Sequence, residues 1–265
     1  MQYLPNNCSP TFIDRDSFQF YNGKNVKLIM NGWYRILNGN KLIPSNISPI
    51  VLSIHIDNIN KLDTIAINNL KKYQTIGCRD MYTLRGLKKY GIDAYFSSCL
   101  TTTLDIDYSV NDLERTNEII FIDYKFGYNK KIDNYIKSLN SYNFSNIVHT
   151  THSFNLNNSQ NKRFNIAKEL LDKYSKAKLV ITSRLHGALP CLALNTPFIF
   201  VNNRYSIRYE GLYEFMNTIG INATKQFNIN VMLDENNFVI NPKKYLKYSN
   251  KLKHKIKQLI NIINY

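Results

Sequence analysis

Ala177–Val201, AKLVITSRLHGALPCLALNTPFIFV, is the stretch on which the fold reading turns. Leu179–Ile181 is a short apolar run without alternation, the pattern of a strand buried on both faces. Ala188–Leu194 reads as an apolar helix, with Pro190 near its first turn, where proline is tolerated. Thr196-Pro197 breaks the helix, and Phe198–Val201 forms a second buried strand. Ser183, Arg184, Leu185, His186 and Gly187 are thereby placed in a tight strand-to-helix turn.

Similar runs recur outward from this segment. Val26–Met30, Ile50–Ile56, Thr75–Cys78, Ala94–Ser97, Glu118–Asp123, Asn146–His149 and Lys178–Thr182 all read as strands. Amphipathic segments lie between them. In Arg163–Lys176, Phe164, Ala167, Leu170, Leu171 and Tyr174 follow helical spacing. Asp80–Tyr90 does the same and stops at Gly91, while Asp63–Lys72 and Lys131–Leu139 are further helices. Such alternation predicts an α/β fold with parallel sheets. The polar, acidic stretch Leu104–Asn117 separates two series, giving an N-terminal lobe over 1–115 and a C-terminal lobe over 116–265. Pro242–Tyr265 is expected to close the second lobe as a long amphipathic helix.

The chain has 265 residues, with 34 Lys+Arg against 19 Asp+Glu. A charge of +15 fits an anionic partner, but the excess of Asn, Ile, Lys, Tyr and Phe also fits an AT-rich genome. The basic residues are dispersed, without a stripe or recognition motif, which argues against a nucleic-acid-binding protein. Cys8, Cys78, Cys99 and Cys191 form no CxxC pair, so no metal knuckle is expected, and Cys78, Cys99 and Cys191, in apolar or small-residue surroundings, are expected as buried free thiols in a reducing compartment. Met1–Asp14 lacks a signal-peptide pattern and no apolar run reaches membrane-spanning length, so a soluble cytoplasmic protein is expected.

The turn after a buried strand is where open α/β sheets bind ligands. The helix start there suits an anion. Arg184 offers a planar fork of donors, and His186 can donate to the same anion or move a proton near neutral pH. Gly187 would let the backbone approach the ligand. On the other reading, Arg184 pairs with a carboxylate and His186 caps the helix.

VITSRLHGALPCLALNTPFIFV resembles the hallmark segment of the polysaccharide pyruvyl transferase family. IGCRDMYTLRGLKKYGIDAYFSSCLTTTL (Ile76–Leu104) resembles that family's other recurrent stretch, in which an Arg-Asp pair follows a strand. The resemblance implies two Rossmann-like lobes as in GT-B glycosyltransferases, here with a shortened N-terminal lobe on the acceptor side. It implies transfer of the enolpyruvyl carbons of phosphoenolpyruvate to a sugar or glycan as a ketal, with no cofactor. Arg184 and His186 would hold the donor, Leu185 and its neighbours Ser183 and Gly187 would contribute contacts, and Arg79 would complete the anion clamp. His55 and His152, each at a strand end, and Arg204 and Arg208, after the last strand, are secondary candidates for substrate contacts. A nucleotide-sugar glycosyltransferase is the alternative on the same fold.

Overall fold

The computed structural model describes residues 10–35, 42–73, 75–104, 115–153, 155 and 158–261. Cys8 and most of the expected boundary Leu104–Asn117 lie outside the described residues. The chain divides into two compact units: Met1–Leu100, Ile207–Leu212 and Lys247–Tyr265 form the first, Thr101–Ser206 and Tyr213–Leu246 the second.

In the first unit, β1 (Val26–Tyr34), β2 (Ile47–Ile56), β3 (Ile76–Cys78) and β4 (Ala94–Phe96) make a parallel sheet in the order β1-β2-β3-β4. The order never reverses, so right-handed crossovers put α1 (Thr64–Lys71) and α2 (Met81–Lys89) on one face. Ala66, Leu70, Leu84 and Leu87 from these helices bury against Ile54, Ile76 and Cys78. Asp80 caps α2 by accepting from the Thr83 N–H at 2.9 Å, and Gly91 ends it with φ +68°, as the sequence predicts. An extra residue bulges β2 opposite Met30–Gly32, with Ser53 at φ +62°.

The second unit carries a six-stranded sheet, β6-β5-β7-β8-β9-β10. Its parallel part comprises β5 (Ile119–Ile122), β6 (Ile147–Thr150), β7 (Leu179–Thr182), β8 (Phe198–Asn202) and β9 (Thr218–Ile221). β10 (Phe227–Asn230) adds an antiparallel edge. The chain leaves β5 for β6 on one side and returns past it to β7 on the other. Right-handed crossovers therefore send α3 (Lys130–Lys137) and α4 (Gln160–Lys176) to opposite faces, and the carboxyl ends of β5 and β7 flank a topological switch point.

The fold is thus mixed α/β with two parallel-rich sheets, and all the strand runs read from the sequence are present. Other expectations need correction. The helix α5 (Leu185–Ala193) begins three residues earlier than its apolar run suggested, so Pro190 lies inside it and removes one helical hydrogen bond. β9 and β10 were not expected. The final helix, α6 (Leu246–Asn261), belongs from Lys247 onward to the first unit, not to the C-terminal lobe. Its Leu252 and Ile256 are buried with Leu52 of β2 in a small separate core. Cys78, Cys99 and Cys191 are buried and form no disulfide among the described residues.

Leu252 is 2% exposed, so Leu252→Ala should destabilise the protein by about 2–5 kcal/mol. Urea unfolding followed by circular dichroism measures this. A loss well under 1 kcal/mol would mean that α6 does not bury against Leu52.

Candidate active site

Three neighbouring strand ends of the second unit converge on one carboxylate. Asp123 follows β5 and adopts φ +51°, an unfavourable conformation for a non-glycine residue. Its Oδ1 accepts from Thr151 Oγ1 at 2.6 Å, just after β6. Its Oδ2 accepts from the His152 N–H at 3.2 Å and from Arg184 Nε at 2.7 Å, just after β7. Its carbonyl accepts from Ser183 Oγ at 2.9 Å. Burial raises the Asp123 pKa, but the hydrogen bonds from Thr151, Arg184 and the His152 N–H outweigh it and hold the carboxyl below its usual value.

Arg184 is the N-cap residue of α5, and its side chain caps nothing. Its own N–H donates to Thr182 Oγ1 at 3.0 Å, which fixes the turn. The side chain is half exposed. Only Nε is engaged, so both terminal nitrogens of the fork remain to meet a ligand among the described residues. The two sequence readings of Arg184 therefore merge: it does pair with a carboxylate, and that carboxylate aims it.

His186, on the first turn of α5, is exposed and lines a cavity of about 330 Å³ with His152, Tyr174, Arg163 and the α4 residues Leu170 and Leu171. The α4 residues expected as core are thus largely cavity wall, and within α4 only Tyr174 and Ser175 are buried. His152 Nε2 lies 2.7 Å from the Tyr174 hydroxyl, and the two rings stack at 6.2 Å. Burial lowers the His152 pKa, with His186 and Arg184 acting in the same direction and Asp123 against it. Burial also raises the Tyr174 phenol.

Gly187 has a packing role in the turn. A Cβ there would stand 2.6 Å from Thr182 Oγ1 and 3.2 Å from Ile122 Cδ1, so its missing side chain lets α5 press against β7 and β5. Its Cβ position faces the sheet. Leu185 is likewise buried, which leaves its backbone to serve the turn.

The remaining candidates divide between the two units. Arg204 is exposed in the second unit, while Arg208, Arg79 and His55 belong to the first. His55 is fully buried, with Nδ1 2.7 Å from Asp80 Oδ2. Arg79 is 1% exposed. The candidate residue that sequence reading missed is Asp123. Its only local signal was an acidic residue ending an apolar strand. Among the described residues no cluster of three or more His, Cys, Asp or Glu could hold a metal ion, and no helix is long and apolar enough to cross a membrane.

Compared with known proteins, residues 5–205 match the family model described as polysaccharide pyruvyl transferase. No curated protein and no solved structure matches.

The His152 imidazole should titrate below the ordinary histidine value of about 6.5. Asp123→Asn removes the charge that opposes this shift and should lower the midpoint further. Histidine ring resonances followed by NMR against pH give the test, and a wild-type midpoint at or above 6.5 would contradict the burial argument.

Proposed function

Because the chain belongs to the polysaccharide pyruvyl transferase family, we propose that it transfers the enolpyruvyl carbons of phosphoenolpyruvate to two hydroxyls of a sugar or glycan and releases phosphate. The observation that carries the reading is the aimed Arg184 fork at the start of α5, beside His186 and at the switch point of the second sheet. The family match does not favour the nucleotide-sugar glycosyltransferase alternative.

Phosphoenolpyruvate places a carboxylate and a phosphate on three carbons. Arg184 meets one anionic group with its two terminal nitrogens, and the uncapped start of α5 offers N–H dipoles to the same charge. Asp123 cannot rotate away, because Thr151 and the His152 N–H hold its other lone pairs. Arg184 is therefore oriented before the donor arrives, which lowers the entropy lost on binding.

In the reaction a proton adds to the methylene carbon and makes it a methyl group. Positive charge develops at the adjacent carbon, and a sugar hydroxyl attacks there. The C–O bond to phosphate breaks and a second hydroxyl closes the ketal. The two hydroxyls lose two protons in all: one balances the methyl group, the other leaves on hydrogen phosphate. His186 is the proton-handling or phosphate-binding group in this reading, since it is exposed on the turn that holds the donor. His152, drawn toward its neutral form and held by Tyr174, positions the wall beside it.

Phosphoenolpyruvate at a hundred times its dissociation constant should stabilise the fold by about 2.7 kcal/mol, visible as a rise in melting temperature. Arg184→Lys should weaken this binding by about tenfold or more while the unliganded protein melts as before, because an ammonium cannot replace the planar fork. Unchanged phosphoenolpyruvate affinity in Arg184→Lys would sink the donor assignment.

A further inference from the structure

The second unit has a further cavity, at the end of its sheet opposite to the Arg184 turn. Its volume is about 640 Å³, within the roughly 300–1,000 Å³ usual for ligand pockets. Asn117 stands before β5, Lys178 before β7 and Pro197 before β8, so the cavity lies at the amino ends of these strands. Lys178 and Ser183 bracket β7, and five steps of about 3.3 Å put roughly 16 Å between this cavity and the donor turn. Asp234, Phe238 and Asn241, which follow β10, form the facing wall.

These walls are held in place by their own contacts. Phe238 packs edge-on against Tyr142 at 5.4 Å, and the Tyr142 hydroxyl accepts from the Val239 N–H at 2.9 Å. The Lys178 ammonium lies 5.2 Å from the centre of the Phe238 ring. Asp234 Oδ1 accepts from the N–H groups of Asn236 and Phe238, each at 2.9 Å. Asn241 Nδ2 donates to the Thr196 carbonyl at 2.7 Å.

The polar atoms left over are of both kinds. Asn241 Oδ1 is buried without a partner, and Asp234 Oδ2 accepts nothing among the described residues. Lys178 and Lys243 end in ammonium groups, which only donate, and the amides of Asn117 and Asn195 do both. A phosphate or another plain anion only accepts, so it leaves Asn241 Oδ1 unmet and is repelled by Asp234. An apolar ligand meets none of these atoms. A hydroxyl both accepts and donates, and a sugar presents several of them beside C–H groups that suit Phe238 and Pro197.

We propose that this cavity is a saccharide-binding site separate from the catalytic turn, and that it holds a stretch of the glycan acceptor several sugars away from the one being modified. The link to the acceptor rests on the function proposed above; the existence of the site does not. Holding one stretch here raises the local concentration of the rest of the chain around the second unit, which favours a polymer over a single sugar.

Val239 and Ile240 line the cavity, while Ile122 lies against Gly187 at the donor turn, so their methyl resonances report on the two places separately. Maltotetraose, cellotetraose and mannotetraose are titrated into methyl-labelled protein, beside inorganic phosphate and ATP. The expected result is a saturable shift of Val239 and Ile240 with at least one tetrasaccharide, kept in Arg184→Gln. Asp234→Asn, which trades the Oδ2 acceptor for a donor while Oδ1 still holds its two N–H groups, should weaken that binding about fivefold. Should Asp234→Asn fail to fold, Lys243→Met at an exposed position is read instead, with a weakening of about threefold or more. No response to any tetrasaccharide, or equal curves in wild type and variant, overturns the site. Saturation by phosphate or ATP at lower concentration overturns the saccharide assignment. In turnover with phosphoenolpyruvate, Asp234→Asn should raise KM for the bound tetrasaccharide and leave kcat unchanged; an unchanged KM overturns the link to the acceptor. The donor reading fails separately, by phosphoenolpyruvate leaving the Ile122 methyl unmoved.

Discussion

The ion pair between Asp123 and Arg184 is the constraint around which the second unit is arranged. A parallel sheet whose connections leave one strand in both directions opens a gap beyond the carboxyl ends at that strand. Here the gap lies between β5 and β7, and one carboxylate bridges it. Asp123 gathers Thr151 and His152 from β6 and Arg184 from β7, while its carbonyl fixes Ser183. Arg184 is half exposed, so solvent screens the pair and its net contribution to stability is small. Its value is positional: without it the guanidinium would sample many rotamers over the mouth of the turn.

That position needs α5 seated close to the sheet. Thr182 turns its hydroxyl to the Arg184 N–H, and the space beside it is open only because residue 187 is glycine. Any side chain there would lift the first turn of α5 and carry Arg184 and His186 with it. The glycine thus shapes the site by packing, one residue after His186 and three after Arg184. Arg115 secures the far ends of α4 and α5 in a comparable way, donating to the carbonyls of Ser175, Leu194 and Asn195 and to the Thr196 hydroxyl.

Much of this architecture was legible because strands buried on both faces leave short runs of Ile, Val and Phe between turn residues, as in Leu179–Thr182 and Ile119–Ile122. β9 and β10 escaped notice for physical reasons. Gly220 interrupts β9 because a Cβ would stand 2.1 Å from the Asn202 carbonyl, and β10, FNIN, is a mostly exposed edge with two asparagines. The start of α5 was misplaced because Leu-His-Gly looks like a turn until Thr182 is seen to seat it. The unit to which α6 belongs depends on Leu52, a partner 200 residues before Leu252 in sequence, which amphipathic spacing alone cannot name. Arg184 and His186 stood out as chemistry at a strand exit. Asp123 did not, since an acidic residue closing a strand is ordinary until three strand ends are seen to share it.

Arg184 and Arg79 are held differently by the aspartates near them. In the second unit a carboxylate neutralises and aims Arg184, and the pair is stable without a ligand. In the first, Asp80 stands next to Arg79 in the chain and would be its natural partner. The fold directs that carboxylate elsewhere, to the cap of α2 and to His55. Removing one member of a buried ion pair is strongly destabilising, by about 3–5 kcal/mol, because the remaining charge is left uncompensated. Asp80 still acts on Arg79 through its charge, which raises the Arg79 pKa against the larger effect of burial, so the adjacent aspartate offsets part of that penalty while it caps α2.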